Sequence, residues 1–250
     1  MALGQRHDDA VVIDSLQRFK SLEGFGHWLA DPANGPWTGG FDLPFGLPRE
    51  LVEQLGWPQQ WLTLMRHYTA LPRSEIRATF ARFCADRQVG AKFAHRACDG
   101  PAGSSPSMKW VNPPVAYMMH AGVALLMDAN VHLPGLQNGD RLRVALEAYP
   151  GLLARELIGR RSYKSDSRAK QTSERSSARA HLIDSLGQGR SRLGLRLKMT
   201  DEQRRELSAD ASGDSIDAVL CLTQTAWAVR QSNYGLPTDA DPLEGWIISA

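Results

Sequence analysis

Apolar positions along this chain change their period several times, and each change marks an element. Residues 10–14, AVVID, form a short β-branched run that suits a strand. Residues 21–30, SLEGFGHWLA, place Leu22, Phe25, Trp28 and Leu29 on one helical face, with Ser21 as N-cap. The pattern turns extended over 37–42 and runs into LPFGLP, where Pro48 sits at a helix start and 49–55 carries helical spacing. Strand, helix, strand, helix is the order of an α/β fold.

The next stretch is helical and then irregular. Helices are predicted over 61–68 and over 74–84, the second capped by Ser74. A polar loop, ADRQVGAKFAHRACDGPAGSSPSMKW, follows; an unstructured loop of this length inside a compact domain is more often functional or mobile than decorative. The apolar run 114–127 reads as a buried helix. A third strand is predicted over 143–149, then a helix from Pro150, a basic and serine-rich stretch over 159–180, a helix over 201–209, and a long apolar helix from Gly213 that should lie against the sheet. No repeat or linker divides the chain. The expectation is one domain over 1–250, with a helical and loop insertion at about 57–128.

Composition narrows this picture only a little. Hydrophobic residues make up 42%, enough for a sizeable core. With 29 basic against 27 acidic residues, nucleic-acid binding would have to come from a local patch. Three scattered cysteines, Cys84, Cys98 and Cys221, form no disulfide framework, which points to a reduced compartment. The polar start MALGQRHDD has no apolar core of a signal peptide, and the 115–127 run, broken by His120, is too short to span a bilayer. A cytoplasmic protein without membrane contact is expected.

The candidate chemistry lies in carboxylates. Asp42 ends a strand ahead of a tight Pro/Gly loop, where ligands of parallel sheets bind, although an aspartate closing a turn reads the same way. Glu147 sits inside the apolar VALEAYP, where a charge is costly unless it is paired, bound to metal or on a strand face open to water. Asp214 and Asp217 open the last helix: Asp214 suits an N-cap, and Asp217 can complete the cap yet leans toward the buried side. Carboxylates converging from separate elements can hold Mg²⁺ or Mn²⁺, and two such ions about 4 Å apart serve phosphodiester cleavage.

Taken in order, GGFDLPFGLPRE, ALEAYPGLLARELIG with its trailing SYK, GDSIDAVLCLTQTAWA and the terminal DPLEGWIIS resemble one prokaryotic family. It is a domain-of-unknown-function family of predicted nucleases with a ribonuclease-H-like fold, and the resemblance runs from about Ile13 to the C-terminus. It implies a mixed sheet flanked by helices. It also implies Asp42, Glu147 and Asp217 as catalytic metal ligands, with Asp214 beside them, and Lys164 as a basic residue facing phosphate. Glu244 and Trp246 match a closing signature for which packing is the expected role. One departure stands out. Such a fold opens with a three-stranded meander whose first strand carries a metal-bridging aspartate, whereas only AVVID, with MALGQR left from a second strand, precedes the first helix here. The first strand is therefore expected to be lacking, and Asp14 is no substitute for its aspartate, because the helix follows at once and leaves no room for the meander.

Three functions follow as expectations: a Mg²⁺- or Mn²⁺-dependent nuclease, a nucleic-acid-binding module of the same fold without turnover, or a hydrolase of a small phosphorylated molecule. Arg160, Arg161, Lys164, Arg168, Lys170, Arg175 and Arg179 form a basic stretch suited to a phosphate backbone, or a solvated face. Lys92, Arg96 and Lys109 could meet an anionic ligand from the long loop. Cys84, His95, Cys98 and Asp99 have no structural-zinc spacing, a Cys98–His95 nucleophilic pair has no geometric basis, and GPAGSSPS lacks the Gly-Lys-Ser/Thr ending of a P-loop.

Overall fold

A computed structural model describes residues 1–250. In chain order the elements are β1 (Ala2–His7), β2 (Ala10–Leu16), α1 (Leu22–Ala30), β3 (Trp37–Phe41), α2 (Arg49–Gln54), α3 (Trp61–Ala70), α4 (Arg73–Ala85), α5 (Asp99–Ala102) and α6 (Val115–Asp128). They continue with β4 (Val131–His132), β5 (Asp140–Glu147), α7 (Pro150–Ile158), α8 (Ser173–Gly187), β6 (Arg196–Lys198), α9 (Asp201–Ala209) and α10 (Asp214–Ala228). The class is α/β, with small sheets flanked by helices.

The sheet is split. One half has the order β1-β2-β6, with β1 antiparallel and β6 parallel to β2; the other is parallel, in the order β3-β5-β4. The opening residues form strand β1, paired antiparallel with β2. Helix α10 lies against both halves: a Cβ at Gly4 of β1 would meet the Leu222 side chain, and one at Gly40 of β3 would lie 2.3 Å from Thr225 Oγ1 and 2.9 Å from the Cys221 carbonyl. Only glycine lets β3 approach that closely.

Two large cores result. The first joins Leu29, Phe45 and Leu51 to Tyr68, Phe80 and Met119 of the helices over 61–128. The second gathers β2, β6 and α7 to α10 around Ile13, Leu182, Leu197 and Leu220. Helix α10, which belongs to the second core, is the element that the two half-sheets share.

Several local expectations are corrected. Helix α4 starts at Arg73 after Pro72, and Ser74 makes no cap. Ser21 does cap α1, accepting the Gly24 N–H at 3.1 Å. The basic stretch contains α8, whose buried Ala178, Leu182, Ile183 and Leu186 follow helical spacing beneath the serines and arginines. Arg179 is buried there, donating to the carbonyls of Tyr163 and Ser208, so it is a structural cation and no phosphate contact. The loop after α4 is neither free nor fully irregular: it contains α5 and buries Arg96 and Asp99. No helix is long and apolar enough to cross a membrane.

Candidate functional site

Strand register brings the carboxylates together. β3 and β5 are parallel, with Phe41 opposite Glu147, so Asp42 and Glu147 leave the sheet at the same end. Helix α10 begins at that end and presents Asp217 from its first turn. Gly213, at φ 80°, precedes it in the left-handed region; a Cβ there would sit 2.6 Å from the Lys164 Cβ, so glycine also makes room for that lysine.

Asp217 is buried, yet its oxygens are taken. Oδ1 accepts the Tyr163 hydroxyl at 2.5 Å, and Oδ2 is ion-paired with the Lys164 ammonium. Burial pushes the Asp217 carboxyl upward against the pull of Lys164 and Tyr163. Burial opposes the charge on Lys164 as well, but Asp217, and then Asp42 and Asp214, more than offset it and hold the ammonium charged. The two partners are shifted in the same direction. Three carboxylates surround the lysine and keep it charged.

Asp42 makes no hydrogen bond to the chain and opens to solvent. Protein nevertheless encloses it on most sides, and desolvation, then Asp217, push its carboxyl up to about 7. Beside it lies a basic pocket of about 200 Å³, lined by Arg155, Arg161, Lys164, Tyr149 and Tyr163. Arg161 and Lys164 thus share this pocket with Asp42.

Glu147 is different. Its Oε1 accepts from Arg96 Nη2 at 2.7 Å, and its Oε2 accepts from Arg96 Nη1 at 2.8 Å and from the Phe45 N–H at 2.9 Å. Arg96 also donates to Asp99 and to the Glu244 carbonyl, while the Glu244 carboxylate accepts the N–H groups of Arg49 and Ala97. The pairing alternative for a buried charge is thus the one realised, and Arg96 serves Glu147 rather than an external anion. The signal was available: an arginine in the loop is the counter-charge that a buried strand glutamate requires. Trp246 packs with Cys98, Ala102 and Ile247, as the packing expectation had it.

The remaining candidates disperse. Asp214 is exposed and ion-paired with Arg18 at 2.9 Å; it is the first residue of α10, and the Asp210 carboxylate accepts the Ser215 N–H in place of the expected Asp214 cap. Lys92 and Lys109 line neither the basic pocket nor the neighbouring cleft. Burial pushes the Cys98 thiol up to about 12, which leaves it protonated at neutral pH and no nucleophile. No group of three or more His, Cys, Asp and Glu side chains is arranged to hold a metal ion in this conformation.

Fold and site define an α/β protein that gathers carboxylates and cations at the ends of its parallel strands. Comparison of the chain with protein-family models, with curated proteins and with solved structures yields no match.

Proposed function

We propose that this chain is a metal-dependent phosphodiesterase of ribonuclease-H-like type acting on nucleic acid, with Asp42 and Asp217 as the ligands of Mg²⁺ or Mn²⁺. The observation that carries this reading is the meeting of Asp42 and Lys164 in a pocket also lined by Arg155 and Arg161, with Asp217 paired to that lysine. The donor set suits a hard cation: two carboxylates from separate elements, Asp42 raised by burial and then by Asp217, and Asp217 paired with the Lys164 ammonium. A bound divalent ion supplies an activated water and a counter-charge for the leaving oxygen. The chain's own residues do the rest. Lys164 and Arg161 hold and orient the phosphate, Asp214 stands at the rim with Arg18, and Tyr163 fixes Asp217 by its hydroxyl. Glu147 would join a metal only if Arg96 released it; held by Arg96, it accepts the Phe45 N–H and so anchors the loop that follows Asp42.

Incubation with single- and double-stranded DNA and RNA in Mg²⁺ or Mn²⁺ tests this. Cleavage that needs the metal and is lost in Asp42→Asn is expected; none on any substrate overturns it. The pocket's small volume favours a second reading, a hydrolase of a small phosphorylated molecule. A thermal-shift screen against nucleotides separates the two, since only the second predicts stabilisation by a mononucleotide without cleavage of polymer. Salt-sensitive binding of nucleic acid without turnover under both metals would identify the binding module instead.

A further inference from the structure

The basic pocket and the carboxylates beside it share one side chain, Lys164, and it cannot serve both at once. Asp42 borders the pocket and also the apolar cleft of about 920 Å³ between the half-sheets, whereas Lys164 lines the pocket and Asp217 the cleft. The Lys164 ammonium therefore reaches out of the pocket to Asp217 Oδ2, with Asp42 adding to the attraction. Its stem lies along Gly213, where a Cβ would come within 2.6 Å of the Lys164 Cβ and 2.9 Å of its Cδ. The backbone beneath is tied down, since the Ser165 N–H donates to the Ala211 carbonyl at 3.0 Å. Asp217 keeps its place without the lysine, because its Oδ1 accepts the hydroxyl of the buried Tyr163.

The other cation–carboxylate pair at this strand end is built oppositely. Arg96 and Glu147 are 1% and 3% exposed, and all three guanidinium nitrogens of Arg96 are bonded. Removing either charge there leaves the other buried and unanswered. Lys164 is 42% exposed. An ion pair of that kind is worth little, because water screens it and the long stem regains rotamer freedom on release. Of the two carboxylates, only Asp217 can be vacated.

We propose that Lys164 is an exchangeable counter-ion on Asp217: it yields Oδ2 to a divalent cation and turns its ammonium into the basic pocket, where it meets phosphate. This exchange rests on the reading of Asp42 and Asp217 as metal ligands and gives that site an order of binding. With Lys164 on Asp217, two carboxylates and one ammonium leave the site net negative, which repels a phosphate. A divalent cation balances both carboxylates, so the charge of the ammonium becomes surplus and is open to an anion. The pocket has one cation ready. Arg161 spends its Nε on the Ile158 carbonyl, and its two terminal nitrogens make no bond to the chain. Arg155 is committed to the carbonyls of Ala102 and Gly103 and shapes the wall instead. Lys164 is the second cation that the pocket can gain. Lysine suits an exchange, being a point charge on a flexible four-carbon stem, whereas the planar fork of an arginine favours one fixed geometry. Metal should bind first, and phosphate should then hold the lysine off Asp217.

Calorimetric titration of Mn²⁺ into the chain and three variants, at one pH, tests the exchange without reading activity. Lys164→Met keeps an aliphatic stem on Gly213 but removes the competing charge, and should bind Mn²⁺ about fivefold more tightly than the unaltered chain. Arg161→Met takes a cation from the same pocket but not from Asp217, and should change the affinity by less than about twofold. Asp217→Asn should lose most of the binding. No gain in Lys164→Met, or an equal gain in Arg161→Met, overturns the exchange and leaves the metal ligands standing. No Mn²⁺ binding in any form, or binding untouched by Asp217→Asn, removes the metal site and the exchange with it. A second measurement needs no variant. An amine-reactive ester, read at Lys164 by mass spectrometry, should modify the unaltered chain severalfold faster in Mg²⁺ than in a chelator. Inorganic phosphate should slow that reaction again only when Mg²⁺ is present. Labelling that Mg²⁺ leaves unchanged or slows is incompatible with release of the lysine. Phosphate that fails to slow it, or slows it equally without Mg²⁺, overturns the turn into the pocket.

Discussion

Glu147 and Asp42 leave the same end of two paired strands, yet their surroundings are opposite. Glu147 is closed in: Arg96 and the Phe45 N–H occupy its oxygens, and Arg96 ties it to Asp99 and to the terminal segment around Glu244. Asp42 stands open between a basic pocket and an apolar cleft, unbonded, with its carboxyl raised. Asp217 is intermediate, buried but answered by one lysine and one tyrosine. A satisfied buried carboxylate holds a fold together, while an unsatisfied one at a cleft is available for chemistry. Burial alone, the property that makes Glu147 prominent in the sequence, does not separate the two.

The largest effect should come from breaking the closed cluster. Arg96→Ala strands Glu147 and Asp99 without a counter-charge, and an expected loss of about 3–5 kcal/mol in urea unfolding measures it. Next is Asp217→Asn, which removes the charge that Lys164 and Tyr163 answer; about 1–3 kcal/mol is expected from the same measurement. A loss as large as that of Arg96→Ala would mean that Asp217 is as structural as Glu147. Asp42→Asn should leave unfolding nearly unchanged while lowering metal-dependent cleavage on the order of a hundredfold or more, as expected when several kcal/mol of charge stabilisation vanish.

Two smaller effects sharpen the contrast further. Lys164→Ala with Arg161→Ala should weaken polynucleotide binding and flatten its salt dependence by about one to two ions. An unchanged slope would remove both from the phosphate path. The smallest concerns pH. A native carboxyl at about 7, against an ordinary value of 3.8, keeps a proton that the unfolded chain releases, so Asp42 lowers stability as pH rises between those values. Asp42→Asn should therefore raise Tm at pH 8 by about 2 °C and do nothing at pH 4, with solvent in the cleft keeping the gain small. A gain at both pH values would show that the effect is packing rather than ionisation.

Much of the fold was legible because strong local periodicity survives folding. The β-branched AVVID, the Ser21-capped helix and the apolar helix after Gly213 all stand where the pattern places them. Helix α8 was hidden because its apolar stripe is diluted by serines and arginines on the outer face. Strand β6, three residues long, carries too little period to register. Asp42, Asp217, Lys164 and Arg161 were found as candidates and do converge, while Lys92 and Lys109 do not. Arg155 was missed, since an arginine within an amphipathic helix gives no sign that it will border a pocket.

The sequence by itself determined the order of elements, the strand-end position of Asp42 and the need of Glu147 for a partner, because these follow from local period and from the cost of burying charge. Only the tertiary structure decided that the partner is Arg96, that Lys164 stands on Asp217, and that the sheet is divided by a cleft. Those outcomes depend on strand register and on how closely α10 approaches β1 and β3, distances between residues far apart in the chain that no local pattern encodes.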